Sequence, residues 1–306
     1  MIQKSSKIWM DGRLIPWDEA RVHVLTHSLH YGLGAFEGIR CYSRADGRSS
    51  IFRLREHVQR LFDTCKILTI HIPFPAEAIR EACVEVLRAN GLAEAYLRPI
   101  VFLGDESLGV GASDMSVRVA IAAFHWGAYL GEEGLRRGVR CKISSFQRHH
   151  VNVGMTMGKV TGQYFNAILA KREAAALRYD EAIMLDIHGY VAEASGQNIF
   201  IVRNGVIRTP PASASILPGV TRDSIIRIAG DLGYRVQEVP FTRDELYIAD
   251  EAFLTGTASE VTPIREVDDR PMGAGEPGEV TRTLKEAYAE IVKGRSVRYP
   301  EWLSFV

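Results

Sequence analysis

The chain has 306 residues, 46% hydrophobic and 24% charged, with Lys plus Arg equal to Asp plus Glu at 37 each. That length supports two ordinary domains, and the balanced charge provides no field to gather nucleic acid or an anionic membrane, so small-molecule partners are favoured. The four cysteines lack metal or redox spacing, and no stretch has a signal-peptide pattern or the ~20 apolar residues of a membrane span, so reduced thiols and a cytoplasmic location are expected.

Ile8-Trp9-Met10 and Arg13-Leu14-Ile15 flank Asp11-Gly12, a dipeptide suited to a type I' turn, so an opening hairpin is expected. A second is expected around Ala45-Asp46-Gly47. From Arg55 to Leu68, Val58, Leu61, Phe62, Cys65 and Leu68 recur at three- and four-residue steps, which predicts an amphipathic helix with Arg60 off its apolar stripe. Pro75 opens a further helix through Ile79, Ala82, Cys83, Val86 and Leu87, and Asn90-Gly91 closes it. Two strand-like runs follow, YLRPIVFLG and VRVAIAAF.

Four glycines and no sustained period mark Gly127 to Gly138 as a boundary. The expected division is a smaller N-terminal α/β domain at 1–127, a linker at 128–136 and a larger C-terminal domain at 137–306. The second half reads as a strand at GVRCKISSF, a helix from about Val160 to Leu177, and the strands AIMLD, YVAEA and NIFIVRNGVIRT, with a hairpin signal at Asn204-Gly205. Another helix follows Pro218-Gly219 and runs to Leu232-Gly233. Strands joined by tight turns favour a mixed α+β fold with largely antiparallel sheets over a doubly wound Rossmann sheet.

Several local patterns fall short of a site. His23, His27 and His30 have no cysteine or carboxylate at a matching offset, so no metal is assigned. Gly32-Leu33-Gly34 and Gly109-Val110-Gly111 do not continue into a dinucleotide fingerprint. The run Gly154 to Lys159 is one residue short of a phosphate-binding P-loop, and Val160 stands where Ser or Thr would bind magnesium; nucleotide binding is the weaker alternative from another class.

A more specific pattern spans Glu193 to Arg222: EASGQNIF, Ile207, Thr209, then ILPGVTR. In it Glu193, Asn198, Phe200, Thr209, Gly219, Val220 and Arg222 meet in order the signature of class IV pyridoxal-phosphate aminotransferases, which the chain resembles. Lys159 precedes Tyr164 by five residues and Glu193 by thirty-four, the order that family requires. HVQRLFDTCKIL, YLRP and the turn Gly256-Thr257-Ala258 extend the resemblance, and HYGLGAFEGIRCY with AAFHWGAYLG is most similar to the branched-chain amino-acid members.

The resemblance implies a two-domain fold type IV enzyme, with the C-terminal domain binding pyridoxal 5'-phosphate. It further implies transfer of the amino group of L-Leu, L-Ile or L-Val to 2-oxoglutarate in branched-chain amino-acid biosynthesis, and self-association as a homodimer or trimer of dimers. Lys159 is then the lysine that joins the cofactor as a Schiff base and carries the Cα proton; both tasks need a neutral amine. Glu193 is expected to face the pyridine nitrogen and keep it protonated, and Tyr164 to hydrogen-bond the 3' oxygen. Arg60, Gly219, Val220, Thr221 and Thr257 are expected to hold the phosphate. The substrate is expected to meet Tyr31, Phe36, Tyr96, Arg98, Val110, Trp126, Tyr129, Thr257 and Ala258, with Val110 presented by a partner subunit. Gln163, Ala194 and Gln197 depart from residues common in the family, which leaves open whether the range extends to Met or aromatic amino acids. D-amino-acid and (R)-amine aminotransferases and aminodeoxychorismate lyase are the alternatives on the same fold.

Overall fold

The structure is a computed structural model and describes residues 3–127 and 130–306. The chain divides into two compact units, Met1–Trp126 with Gly158–Gln163 and Ile291–Val306, and Gly127–Met157 with Tyr164–Glu290.

The first unit opens with β1 (Lys7–Met10) and β2 (Arg13–Pro16), antiparallel with Met10 opposite Arg13. Asp11 and Gly12 between them take φ of 48° and 93°, the left-handed pair that a type I' turn requires. Next come α1 (His27–Tyr31), β3 (Gly34–Phe36) and the hairpin β4 (Ile39–Ser43) with β5 (Ser49–Phe52). After them lie α2 (Leu54–Ile67), α3 (Ala76–Ala89) preceded by Pro75, β6 (Ala95–Leu103) and β7 (Val117–Phe124). The C-terminal strand Leu303–Phe305 completes an eight-stranded sheet among the described residues, in the order C-terminal strand, β5, β4, β6, β7, β1, β2, with β3 also on β6.

Alternation along β6 creates the site. Ala95, Leu97, Val101 and Leu103 belong to the core that also holds Val58, Leu61 and Cys65 of α2 and Ile79, Cys83 and Val86 of α3. Tyr96 and Arg98 therefore point to the opposite face of the sheet. The buried side of α2 is wider than its apolar stripe, since His57 and Thr64 are buried beside Val58, Leu61 and Cys65.

The helix expected from about Val160 begins instead at Tyr164 as α-helix, after a 3-10 turn at Thr161–Gln163. The first unit claims the intervening backbone: Val160 bridges Ala35, Gly162 N–H donates to Gly32 O, and Thr161 Oγ1 donates to the same oxygen. Those bonds hold 160–163 out of α geometry.

The second unit contains α4 (Gly131–Arg137), β8 (Val139–Ile143), α5 (Val151–Gly154), α6 (Tyr164–Ala176), β9 (Glu181–Leu185), β10 (Val191–Ala194), β11 (Asn198–Arg203) and β12 (Val206–Thr209). It continues through α7 (Val220–Asp231), β13 (Arg235–Glu238), α8 (Arg243–Tyr247), β14 (Glu251–Gly256), β15 (Glu260–Val267) and β16 (Arg270–Pro271). Its sheet runs β10-β9-β8-β15-β14-β11-β12-β13, with β16 on β15. Only β8–β9, β8–β15 and β12–β13 are parallel among the described pairs, so the sheets are largely antiparallel as expected, and the fold is not a Rossmann fold. Phe200 and Phe253 stack as a cross-strand pair, centroids 4.9 Å apart. The glycine-rich segment expected as linker carries α4, a helix of seven residues and too short to reveal a period in the sequence.

Candidate active site

In the first unit the site is built on one face of α2. His57, Arg60 and Thr64 are spaced i, i+3 and i+7, so they project along one line of the helix. Arg60 grips Glu37 with two donors, Nε to Oε1 at 2.7 Å and Nη2 to Oε2 at 2.9 Å. His57 Nδ1 lies 2.8 Å from Oε2 of the same carboxylate. Glu37 is fully buried, and burial alone pushes its carboxyl up, but the Arg60 and His57 charges and hydrogen bonds outweigh it and hold the group well below the usual carboxylate range. Burial lowers His57, reinforced by the Arg60 and Lys159 charges and opposed by Glu37. Arg60 thus has a buried counter-ion that was not anticipated from the sequence.

Lys159 enters this unit through its backbone. Its N–H donates to Thr64 Oγ1 at 3.0 Å, and its carbonyl accepts from Phe36 N–H at 3.2 Å. Lys159 Nζ lies 4.9 Å from the Phe36 ring centroid, and the Arg98 guanidinium carbon lies 4.9 Å from the same centroid. Arg98 is also 5.4 Å from the Tyr96 ring and 6.0 Å from that of Trp126, and Tyr96 and Trp126 meet edge to face at 4.6 Å. Arg98 Nε is buried with no hydrogen-bond partner among the described residues, a donor held ready for an acceptor. Gly38 makes room for Tyr96, because a Cβ there would overlap the Tyr96 hydroxyl.

Lys159, Phe36, Tyr96, Arg98 and Trp126 are therefore brought together. Tyr31 and Val110 are not part of this cluster's contacts: they are 46% and 95% exposed. His27 ties their segments to each other, its ring 4.5 Å from that of Tyr31 and its Nε2 3.1 Å from Gly109 O. Tyr129 lies outside the described residues. The other two histidines of the early run serve separately, His23 against Asp105 and His30 on Val24 O.

In the second unit Glu193 lies on β10 just after a register shift against β9. Its Oε1 takes an ion pair from Arg148 Nη2 at 2.8 Å, and its Oε2 accepts from Asn198 Nδ2 and Leu217 N–H, both at 3.1 Å. Asn198 Nδ2 also donates to Leu217 O at 2.9 Å, so one amide fastens the carboxylate to the segment leading into α7. Gly219 is required there, since a Cβ would overlap Asn198 Oδ1. At the start of α7 Gly219 offers no side-chain cap, which leaves the Val220 and Thr221 N–H groups and the helix dipole for an anion. Thr257 and Ala258 lie half-buried in the β14–β15 turn, flanked by Thr255 Oγ1 and Ser259 Oγ, both buried without a partner among the described residues. Tyr164 is the first residue of α6, half-buried.

Two signature residues serve the frame. Arg222 is buried and donates to Pro210 O at 2.8 Å and Glu238 at 2.7 Å, while Thr209 Oγ1 donates to Ile199 O at 2.9 Å. They weld the β11–β12 hairpin to α7 and so fix the helix start.

Sequence reasoning missed Glu37, His57, Thr64 and Arg148. The first three had a faint signal, polar residues on the buried side of α2 and a carboxylate in the segment it faces. Arg148 had none, because its partner is forty-five positions away in a different element.

A model of the amino-transferase class IV family matches residues 34–267. The branched-chain-amino-acid aminotransferase of Pseudomonas aeruginosa is 51% identical over 306 residues, covering 100% of this chain and 99% of the relative. The crystal structure of the Escherichia coli branched-chain amino acid aminotransferase is similar with a TM-score of 0.96 and 43% identity, over 98% of this chain and 99% of that one. The branched-chain amino acid aminotransferase of Thermobaculum terrenum, solved in its PLP-form, is similar with a TM-score of 0.91 and 36% identity, over 98% of each chain.

Proposed function

Because the chain belongs to the class IV amino-transferase family, we propose that it is a branched-chain-amino-acid aminotransferase that uses pyridoxal 5'-phosphate. It moves the amino group of L-Leu, L-Ile or L-Val reversibly to 2-oxoglutarate, giving branched 2-oxo acids and L-glutamate. The observation that carries the reading is the sharing of the Phe36 ring by Lys159 Nζ and the Arg98 guanidinium, a reactive amine and a carboxylate-reading fork on one apolar surface.

The residues fit the cofactor. The start of a twelve-residue helix with no side-chain cap supplies backbone donors for a phosphate, a buried carboxylate suits a protonated ring nitrogen, and hydroxyls without a partner among the described residues stand beside the Thr257 turn. When bound, pyridoxal 5'-phosphate supplies the aldehyde that captures the amino group and the ring that receives the electron pair left at Cα.

This chain's groups do the rest. Lys159 anchors the cofactor and, as a neutral amine, removes and returns the Cα proton. Glu193 holds the proton on the ring nitrogen, with Asn198 and Arg148 fixing its two oxygens. Tyr164 donates to the 3' oxygen. Arg60, held by Glu37, joins Gly219, Val220, Thr221 and Thr257 in binding the phosphate. The α-carboxylate is held by Tyr96 and the Thr257 and Ala258 N–H groups. Phe36, Trp126 and Val110 form the apolar wall, and Arg98, Tyr31 and Tyr129 bind the distal carboxylate of glutamate. The exposure of Tyr31 and Val110 supports their presentation to the site of a second copy, in a cytoplasmic homodimer or trimer of dimers.

A panel of half-reactions followed by visible absorbance tests the reading. L-Leucine, L-isoleucine, L-valine and L-glutamate are expected to shift the band. A shift with D-alanine or simple amines alone would sink it.

A further inference from the structure

Thr64 is 1% exposed and stands one helical turn after Arg60 on α2. Its hydroxyl donates to Arg60 O at 2.8 Å, the back-bond that a helical threonine commonly makes. That bond spends its hydrogen and leaves an oxygen lone pair facing outward, and Lys159 N–H occupies it at 3.0 Å. The other face of the Lys159 peptide is tied to β3 through Phe36 N–H, and Val160 bridges Ala35. A strand thus fixes Lys159 from one side, and the Thr64 side chain of α2 fixes it from the other. The same helix face carries Arg60 and its counter-ion network of Glu37 and His57.

We propose that Thr64 is a positioning residue for the reactive lysine. Its hydroxyl sets the register of the Lys159 backbone against α2, and with it the placement of the lysine amine relative to the Arg60 guanidinium. The inference rests on Lys159 being the cofactor lysine. Phosphate end and aldehyde end of one rigid molecule must be met together, so two groups on one stiff helix, a turn apart, are a suitable gauge. Valine keeps the shape of threonine but turns a methyl group toward Lys159 N–H, which then has to move to find an acceptor. Serine keeps the oxygen and loses only the methyl.

The test compares the wild-type holoenzyme with Thr64→Val and Thr64→Ser. Its readouts are the pH titration of the visible band of lysine-bound cofactor, the dissociation constant for pyridoxal 5'-phosphate, and kcat and KM for L-leucine. Thr64→Val is expected to move the titration midpoint by about one pH unit and weaken cofactor binding roughly tenfold. It is expected to lower kcat about tenfold with KM for L-leucine within about twofold, and Thr64→Ser to restore each value to within about twofold. If valine prevents folding, Thr64→Ala, which also lacks the hydroxyl, carries the same expectation. An unchanged midpoint and affinity in the hydroxyl-less variant overturns the proposal, as does a serine variant that behaves like valine. Borohydride reduction and peptide mapping of the wild type separates the two layers. A label away from Lys159 overturns both the lysine assignment and this inference, whereas a label on Lys159 with silent Thr64 variants overturns this inference alone.

Discussion

Arg148 and Glu193 form a buried ion pair in which Nη2 stands 2.8 Å from Oε1, each side chain 8% exposed. The guanidinium is braced in turn by Ser215 O, to which Nε donates at 3.3 Å. The carboxylate assigned to the ring nitrogen is thus a member of a fixed charge network, with Asn198 on its other oxygen.

Removing one partner of such a pair leaves a buried charge unmatched. Arg148→Met is expected to destabilise the protein by roughly 3 kcal/mol. Adding Glu193→Gln to Arg148→Met is expected to cost less than the sum of the single changes. Urea unfolding of the four proteins measures the cycle, and simple additivity would show that the pair is not coupled.

Arg98 is proposed to read a carboxylate: its Nε is buried with no hydrogen-bond partner among the described residues, and its guanidinium packs on Phe36 and Tyr96. Arg98→Gln is expected to slow the half-reaction with L-glutamate by about 30- to 100-fold, the equivalent of a charge-assisted hydrogen bond of roughly 2–3 kcal/mol. The half-reaction with L-leucine is expected to stay within about threefold. Equal losses for both amino acids would remove Arg98 from side-chain recognition.

His57 and Glu37 predict acid sensitivity with a definite sign. The folded His57 is held below 6.5 by burial, with the Arg60 and Lys159 charges adding to it against Glu37. The unfolded chain therefore binds a proton near that pH that the folded chain refuses, and stability falls as pH drops below 6.5. Glu37, held below 4.5 despite a burial that alone would raise it, contributes stability that is present above 4.5 and lost as pH falls further. Thermal midpoints are expected to fall by a few degrees between neutral pH and mildly acid buffer, and His57→Gln is expected to flatten that fall. An identical slope in the variant would assign the effect elsewhere.

All four cysteines are buried thiols. Burial pushes Cys41, Cys65 and Cys83 up to about 12, with Glu94 assisting at Cys41, and raises Cys141 well above its ordinary value. Iodoacetamide at mildly alkaline pH is expected to label none of them in the folded protein and all of them in guanidinium. Rapid labelling of any one under native conditions would contradict its burial.

Local turn and helix signals carried most of the fold. Asp11-Gly12 and Asn204-Gly205 adopt the positive φ their sequence demands, and α2, α3 and α7 fall where periodicity and capping place them. The departures arise from contacts that no window contains. Residues 160–163 read as helix, but Gly32 and Ala35, far away in sequence, take their hydrogen bonds. Lys159, Glu193 and the helix start at Gly219 are proposed for the site because a spaced signature marks them. Arg148, Glu37 and Thr64 were not legible, because each is defined by a partner remote in the chain. Asn198, Thr209 and Arg222 were legible as signature, and their physical purpose emerges only from the bonds that fasten Glu193 and weld the hairpin to α7.

The proposed function rests on Lys159 as the residue that holds the cofactor. Borohydride reduction of the yellow holoenzyme, followed by proteolysis and mass spectrometry, tests it most directly. One phosphopyridoxyl adduct per chain is expected, on Lys159, and none in Lys159→Ala. An adduct on a different lysine, or one that persists in that variant, would contradict the assignment.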